Sequence, residues 1–376
     1  MAHNINDFKE KEDTFLYQVM STIIAEKLRR SAHEYTVKFP HVSENYQYTA
    51  EDNRLWTASF YPGMMFLAYD LTKDEFFLQY TEDYLDSFEA RLDQSVHITH
   101  DLGFLFTLSA AAPYQLTGNE RARQLAQRAA DMLAGRYFEK GKYIQAWGEF
   151  GAGTPNVRII IDTMLNLPLL YWSANEKHHE IAKAHAKTTA KYLIRDDYTS
   201  FHTYWMNPVT GEAVAGTTHQ GARDESTWAR GQAWAVYGFA LSYRHTKDAE
   251  FLEVAKKTAE VFVRHLPENF VPYWDFNFND KCPDIRDTSA AAIFLCGLLE
   301  LCNWVEPETA KTYRKIIDTV TKALYLGYFN IDPDNCGLLR EGMYHRDGGA
   351  NEFTSWGDYF FFEALVRLQK DWMPFW

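Results

Sequence analysis

The chain has 376 residues, 46% of them hydrophobic and 16% aromatic, with a formal net charge of −13. That is enough apolar material for a sizeable core, in two domains or in one large helical barrel. The acidic balance, with no basic stripe, excludes nucleic acid as a partner, and no uninterrupted apolar run reaches membrane-spanning length.

The first forty residues are the least informative. Met1–Asp7 carries no basic segment followed by an apolar one, so no leader is expected and a cytoplasmic address is the default. From there two kinds of helix alternate. The stretches Ala122–Leu133, Ile181–Leu193 and Glu250–Leu266 repeat apolar residues at intervals of three and four, as at Leu252, Ala255, Ala259, Phe262 and Leu266. They read as outer helices with one buried face. Ile159–Trp172, Gln232–Leu241 and Ser289–Cys302 are apolar nearly all round and read as inner helices enclosed on every side. Turn signals follow inner segments at Leu71-Thr72-Lys73, Leu116-Thr117-Gly118 and His245-Thr246-Lys247. About six helix pairs result, without a Pro/Gly/Ser-rich linker. The predicted architecture is all-α, a closed (α/α)6 barrel of six inner and six outer helices, in a single domain spanning 1–376.

Inner helices of such a barrel start at one end, so polar residues at their starts converge on one mouth. Asp101 stands at such a start, balanced between a helix cap and a functional carboxylate. Asp162 follows Ile159, Ile160 and Ile161, where desolvation raises the pKa of an unpaired carboxyl and suits it to donate a proton. An Arg158–Asp162 pair at i,i+4 is the competing structural reading, and Asn166 is expected on the same face. His202, His219 and Gln220 sit in loops rich in aromatic residues or in Gly and Thr, which suits contacts to sugar hydroxyls or carboxylate. Arg230 is a cation in the first turn of an apolar helix, beside Gly231, with Trp234 one turn on. Local rules broken together point to a cation aimed into the mouth, the alternative being a surface salt bridge. Asp287 and Asp358 read as ordinary helix-start carboxylates. Cys282, Cys296, Cys302 and Cys336 show no metal-ligand spacing and read as reduced core residues; neither metal nor other cofactor is expected.

Several segments taken together resemble glycoside hydrolase family 88, the unsaturated glucuronyl hydrolases. They are HDLGFLFTLSA (100–110), YIQAWG (143–148), RIIIDTMLNLPLLYW (158–172), THQG (218–221), STWARGQAWAVYGFAL (226–241), YWDF (273–276), RDTSA (286–290) and WGDYF (356–360). They run in order from about His41 to the end of the chain. The resemblance implies an (α/α)6 barrel that removes a 4,5-unsaturated uronic acid from the non-reducing end of lyase-generated, glycosaminoglycan-type oligosaccharides. It implies Asp162 as general acid and base, Asp101 as a second essential carboxylate and His202 as the active-site histidine. Gln220, Arg230, Trp234, Trp56 and Trp147 are implied as substrate contacts, alongside His219 from the loop reading. The implied partner is an acidic unsaturated saccharide, and the protein is expected as monomer or homodimer. Two departures stand out. Trp56–Gly63 carries Ala, Tyr and Pro where relatives often have other residues, and Tyr344–Asn351 lacks a Ser/Ser/Lys cluster, with Arg346 a candidate substitute. The alternatives are an unsaturated rhamnogalacturonyl hydrolase and a non-catalytic glycan-binding barrel.

Overall fold

The computed structural model describes residues 5–148 and 157–376, with side chains from Thr14. Met1–Asn4, part of the stretch read for a leader, lie outside the described residues. Among those described, no helix is long and apolar enough to cross a membrane.

Six outer and six inner helical rods alternate along the described chain. The outer ones are α1 (Ile5–Ser31), α3 (Thr81–Asp93), α6 (Glu120–Ala134), α8 (Glu176–Tyr192), α10 (Ala249–Arg264) and α12 (Pro307–Tyr328). The inner ones are α2 (Phe60–Thr72), the rod α4–α5 (Leu102–Phe106 and Ala112–Thr117, joined by a π-helical turn), α7 (Pro168–Trp172), α9 (Ala229–Thr246), α11 (Thr288–Leu301) and α13 (Ser355–Gln369). Each inner rod packs on the next, and α13 returns to pack on α2. The ring is therefore closed, as the alternation of enclosed and one-faced helices requires. This is the expected all-α barrel.

One turn is built three times. Inner helices end at Lys73, Gly118 and Lys247, all in the left-handed region at φ +58°, +73° and +55°. Each donates its N–H back to the tyrosine carbonyl four residues earlier, Tyr69, Tyr114 or Tyr243. The threonine before each bonds its own helix and accepts the N–H of Asp74, Asn119 or Asp248. Asn119 and Asp248 then cap outer helices α6 and α10 through their side chains. The Thr-Lys and Thr-Gly signals thus mark the crossings from inner to outer ring.

The run 158–172 departs from the predicted inner helix. Arg158–Ile160 is a strand, Ile161–Leu165 a 3-10 turn, and only Pro168–Trp172 is α-helical. Pro168 opens α7 at its first position with Leu167 still in the helical region, and its missing N–H cannot continue the hydrogen-bond ladder back to Met164, which separates α7 from the 3-10 turn. The strand lies in a three-stranded antiparallel sheet with Thr203–Met206 and Ala213–Thr217, Arg158 opposite Trp205. The 3-10 turn is wedged into the barrel: a Cβ on Gly103 would sit 2.2 Å from Asn166 Cα, and one on Gly238 would sit 2.3 Å from Met164 Cβ. Inside the barrel, the indole of Trp376 stacks on Phe360, meets Phe104 edge-on and donates to Glu363. Of the cysteines, Cys296 is buried as expected, whereas Cys282 is exposed, because it lies in the 279–282 turn outside any helix.

Candidate active site

The starts of the inner rods and the loops between them enclose a cavity of about 200 Å3. Trp56, His100, Asp101, Trp147, Ile160, Asp162, His202, His219, Gln220, Tyr344 and His345 line it. Asp101, Asp162, His202, His219, Gln220, Trp56 and Trp147 are brought together as the sequence reading requires.

Asp162 lies in the 3-10 turn, its side chain 15% exposed, with Oδ1 buried and without a hydrogen-bond partner. Desolvation pushes its pKa from 3.8 to about 7; the Arg230 guanidinium opposes that shift and the Asp101 charge adds to it. A carboxyl so placed carries its proton near neutrality and can surrender it. The competing Arg158–Asp162 pair does not form. In a strand, Arg158 stacks on Trp205 instead, with its Cζ 3.7 Å from the ring centroid. Asn166 supports the turn: its Nδ2 donates to the Asp162 carbonyl at 3.2 Å and its Oδ1 accepts the Phe104 N–H at 2.6 Å.

His202 has one tautomer open to it. Its Nδ1 accepts two backbone N–H groups, from His219 at 3.1 Å and Gln220 at 3.0 Å. The proton must then reside on Nε2, which faces Asp162 Oδ1 at 3.8 Å. Burial, first of all, holds this imidazole neutral well below its ordinary pKa, helped by the charges of His219 and Arg230. The ring also packs against Trp228, with centroids 4.3 Å apart. Asp101 is oriented by the Thr99 hydroxyl at 2.9 Å and by His100 Nε2 at 3.5 Å. His100 Nδ1 in turn lies 2.7 Å from the hydroxyl of Thr163, the residue after Asp162. The two carboxylates are thus tied to one scaffold.

Arg230 is not aimed into the mouth. It is 1% exposed and pairs with Asp287 at 3.0 Å, so the surface salt bridge is equally wrong. Its guanidinium also donates to the carbonyls of Met343 and Tyr344 and lies between the rings of Trp228 and Trp356. Asp287, Met343 and Tyr344 are more than fifty residues away in sequence, which is why a local reading finds no partner. Gly231 lets the Trp228 ring lie against the helix, since a Cβ there would meet it at 2.8 Å. Asp287 caps α11 as expected, accepting from Ser289 and Ala290. Asp358 does not cap its own helix. It is buried and accepts from the backbone of Leu338 and Leu339 and from the Tyr48 hydroxyl.

The profile described as Glycosyl Hydrolase Family 88 matches residues 28–363. The chain is 40% identical to the unsaturated glucuronyl hydrolase of Bacillus sp. (strain GL1), over 92% of this chain and 95% of that one. The chain belongs to glycoside hydrolase family 88. It is accordingly a glycoside hydrolase. It is 39% identical to the unsaturated chondroitin disaccharide hydrolase of Streptococcus pneumoniae, over 88% of this chain and 85% of that one. The crystal structure of the Bacillus sp. GL1 unsaturated glucuronyl hydrolase superposes with a TM-score of 0.90 at 39% identity, covering 94% of this chain and 97% of the other.

Among the residues that the family 88 resemblance marks as substrate contacts, Trp234 also stands apart from the cavity. It is fully buried beneath the mouth against Phe104 and Phe360. Its ring does not line the cavity, and its indole N–H acts on Asp162, holding that pKa down. Sequence reasoning missed Tyr344 and His345 as lining residues. They project from the strand Gly342–His345 of a hairpin whose partner is Gly348–Glu352. The aromatic pair within a Gly-rich stretch was the available signal. Arg346, at the hairpin turn, is exposed near Asp284 and does not line the cavity.

Proposed function

We propose that this family 88 enzyme removes the 4,5-unsaturated uronic acid from the non-reducing end of acidic, glycosaminoglycan-type oligosaccharides, within one barrel domain, with Asp162 as general acid and base. The observation that carries the reading is a carboxyl with a pKa of about 7, facing a neutral imidazole N–H in an aromatic-walled cavity. The names of the relatives, unsaturated glucuronyl hydrolase and unsaturated chondroitin disaccharide hydrolase, support the substrate class.

The unsaturated ring is an enol ether, so its C4 is electron-rich. Protonated Asp162 gives its proton to C4, and positive charge develops at C5, shared with the ring oxygen. The Asp162 carboxylate so formed is stabilised by the nearby Arg230 charge and the His202 Nε2–H. It takes a proton from water as the water oxygen bonds to C5, which regenerates the acid. The resulting hemiketal opens at the C5–O5 bond, and the hemiacetal left at C1 releases the second sugar as an alcohol. One carboxyl thus serves both steps, unlike the paired carboxylates of ordinary glycosidases. Asp101, held by Thr99 and His100, orients water and hydroxyls, and Trp56, Trp147 and Tyr344 supply ring faces for the sugar.

The test is loss of enol-ether absorbance from unsaturated chondroitin, hyaluronan, heparin and rhamnogalacturonan disaccharides. Asp162→Asn should lower kcat by about 10²–10⁴-fold with KM little changed. Near-normal turnover in that variant, or wild-type cleavage of saturated p-nitrophenyl glycosides in preference to every unsaturated disaccharide, overturns the reading.

A further inference from the structure

One charge at the mouth has no part in this scheme. Arg158 opens the strand that carries Ile160 into the cavity and leads on to Asp162. Its guanidinium lies 3.7 Å from the Trp205 ring centroid and 5.4 Å from that of Trp147, which lines the cavity. Burial lowers its pKa, with no acidic neighbour countering the effect among the described residues. In a protein of net charge −13, a half-buried arginine without an acid partner among the described residues stands out. It is also held in place: Arg158 and Trp205 are cross-strand partners, and the Arg158 carbonyl accepts the Ala146 N–H at 3.0 Å. Stacking leaves the in-plane N–H fork free for an oxyanion. His219 packs edge-on against Trp147, and the Arg158 charge helps hold both His219 and His202 neutral, which places that charge at the rim of the pocket.

A cavity of about 200 Å3 takes a terminal sugar ring, so the next sugar must lie at this rim. We propose that Arg158, Trp205 and Trp147 form the subsite for the second sugar, on the reducing side of the bond that breaks, and that Arg158 selects an anionic group there, carboxylate or sulfate. The identity of the first sugar rests on the proposed function; the selection of an anion on the second does not.

The experiment uses unsaturated disaccharides matched except for the second sugar, which is neutral, sulfated or carboxylated. The wild type should show KM about tenfold lower for at least one anionic member, the gain of one charge-assisted pair; the sulfated and carboxylated arms separate the two sources. Arg158→Gln should erase that preference, raising KM for the anionic member about tenfold more than for the neutral one, and Arg158→Lys should restore part of it. Trp205→Leu, which unseats the guanidinium, should weaken the preference as well. Equal KM for all three substrates in the wild type, or an Arg158→Gln effect that is the same on neutral and anionic members, overturns the subsite while turnover of the neutral disaccharide leaves the proposed function standing. Should no substrate lose its double bond, the proposed function fails, and calorimetric binding of the same three disaccharides to wild type and Arg158→Gln still decides the subsite.

Discussion

Replacing Asp162 by asparagine should stabilise the protein as well as silence it, and the gain should depend on pH. The carboxyl titrates near 7 in the fold against 3.8 ordinarily, a rise of about three units at about 1.4 kcal/mol each. An acid whose folded pKa is raised holds its proton more tightly in the fold than in the unfolded chain. Stability therefore falls as pH climbs from about 4 to about 7, and levels off once both states are ionised. The full cost of keeping ionised Asp162 buried is about 4 kcal/mol, of which roughly 3 kcal/mol accrues between pH 5 and pH 8. Asparagine carries no such cost and is close in shape. The stability difference between Asp162→Asn and wild type should widen by that amount over this range. For 376 residues the unfolding entropy is roughly 0.8 kcal/mol per kelvin, so the difference in Tm should widen by about 4 °C. Asp358, which also titrates near 7, is present in both proteins and cancels. Calorimetry at pH 5, 6, 7 and 8 reads the effect, and two Tm profiles that stay parallel would refute the desolvated-acid argument.

Three further outcomes follow from the geometry. Arg230→Met strands the Asp287 carboxylate in the core and should cost about 3–5 kcal/mol in urea unfolding. It should also raise KM, since the strand bearing Tyr344 and His345 loses its anchor. Nitrogen NMR of labelled histidine should find His202 in the Nε2–H form throughout pH 5–8, because two backbone donors occupy Nδ1; an imidazolium signal in that window contradicts the assignment. Asp358→Ala leaves two backbone N–H groups and the Tyr48 hydroxyl without their acceptor, a loss of about 2–4 kcal/mol that denaturant titration would register.

Much of the scaffold was legible because helices report their surroundings through periodicity. Glu250–Leu266 was read as an outer helix and is Ala249–Arg264; Ser289–Cys302 was read as an inner helix and is Thr288–Leu301. The run 159–172 was misread at its front half, because a buried strand and a buried helix are both apolar on every face. Pro168 was the signal that could have separated them. The burial of Asp162 is legible from its apolar neighbours, since burial of a short segment is a local property of composition; its catalytic role is implied by the family resemblance.

Partnership is not local. The same kind of argument that found Asp162 aimed Arg230 at the substrate, when its counter-ion was Asp287 on the next inner helix. Trp234 was implied as a substrate contact, but whether a side chain reaches the mouth depends on how the rods stack. The amino-acid order by itself determined which segments are enclosed and where the chain crosses between rings; of the two desolvated carboxyls it marked Asp162 but not Asp358. The tertiary structure alone decided which buried charges neutralise each other, as Arg230 and Asp287 do, and that Arg158 stacks on Trp205 instead of pairing with Asp162. Charges meet by distance in space, and in a closed ring the nearest neighbours of a residue are often more than fifty positions away.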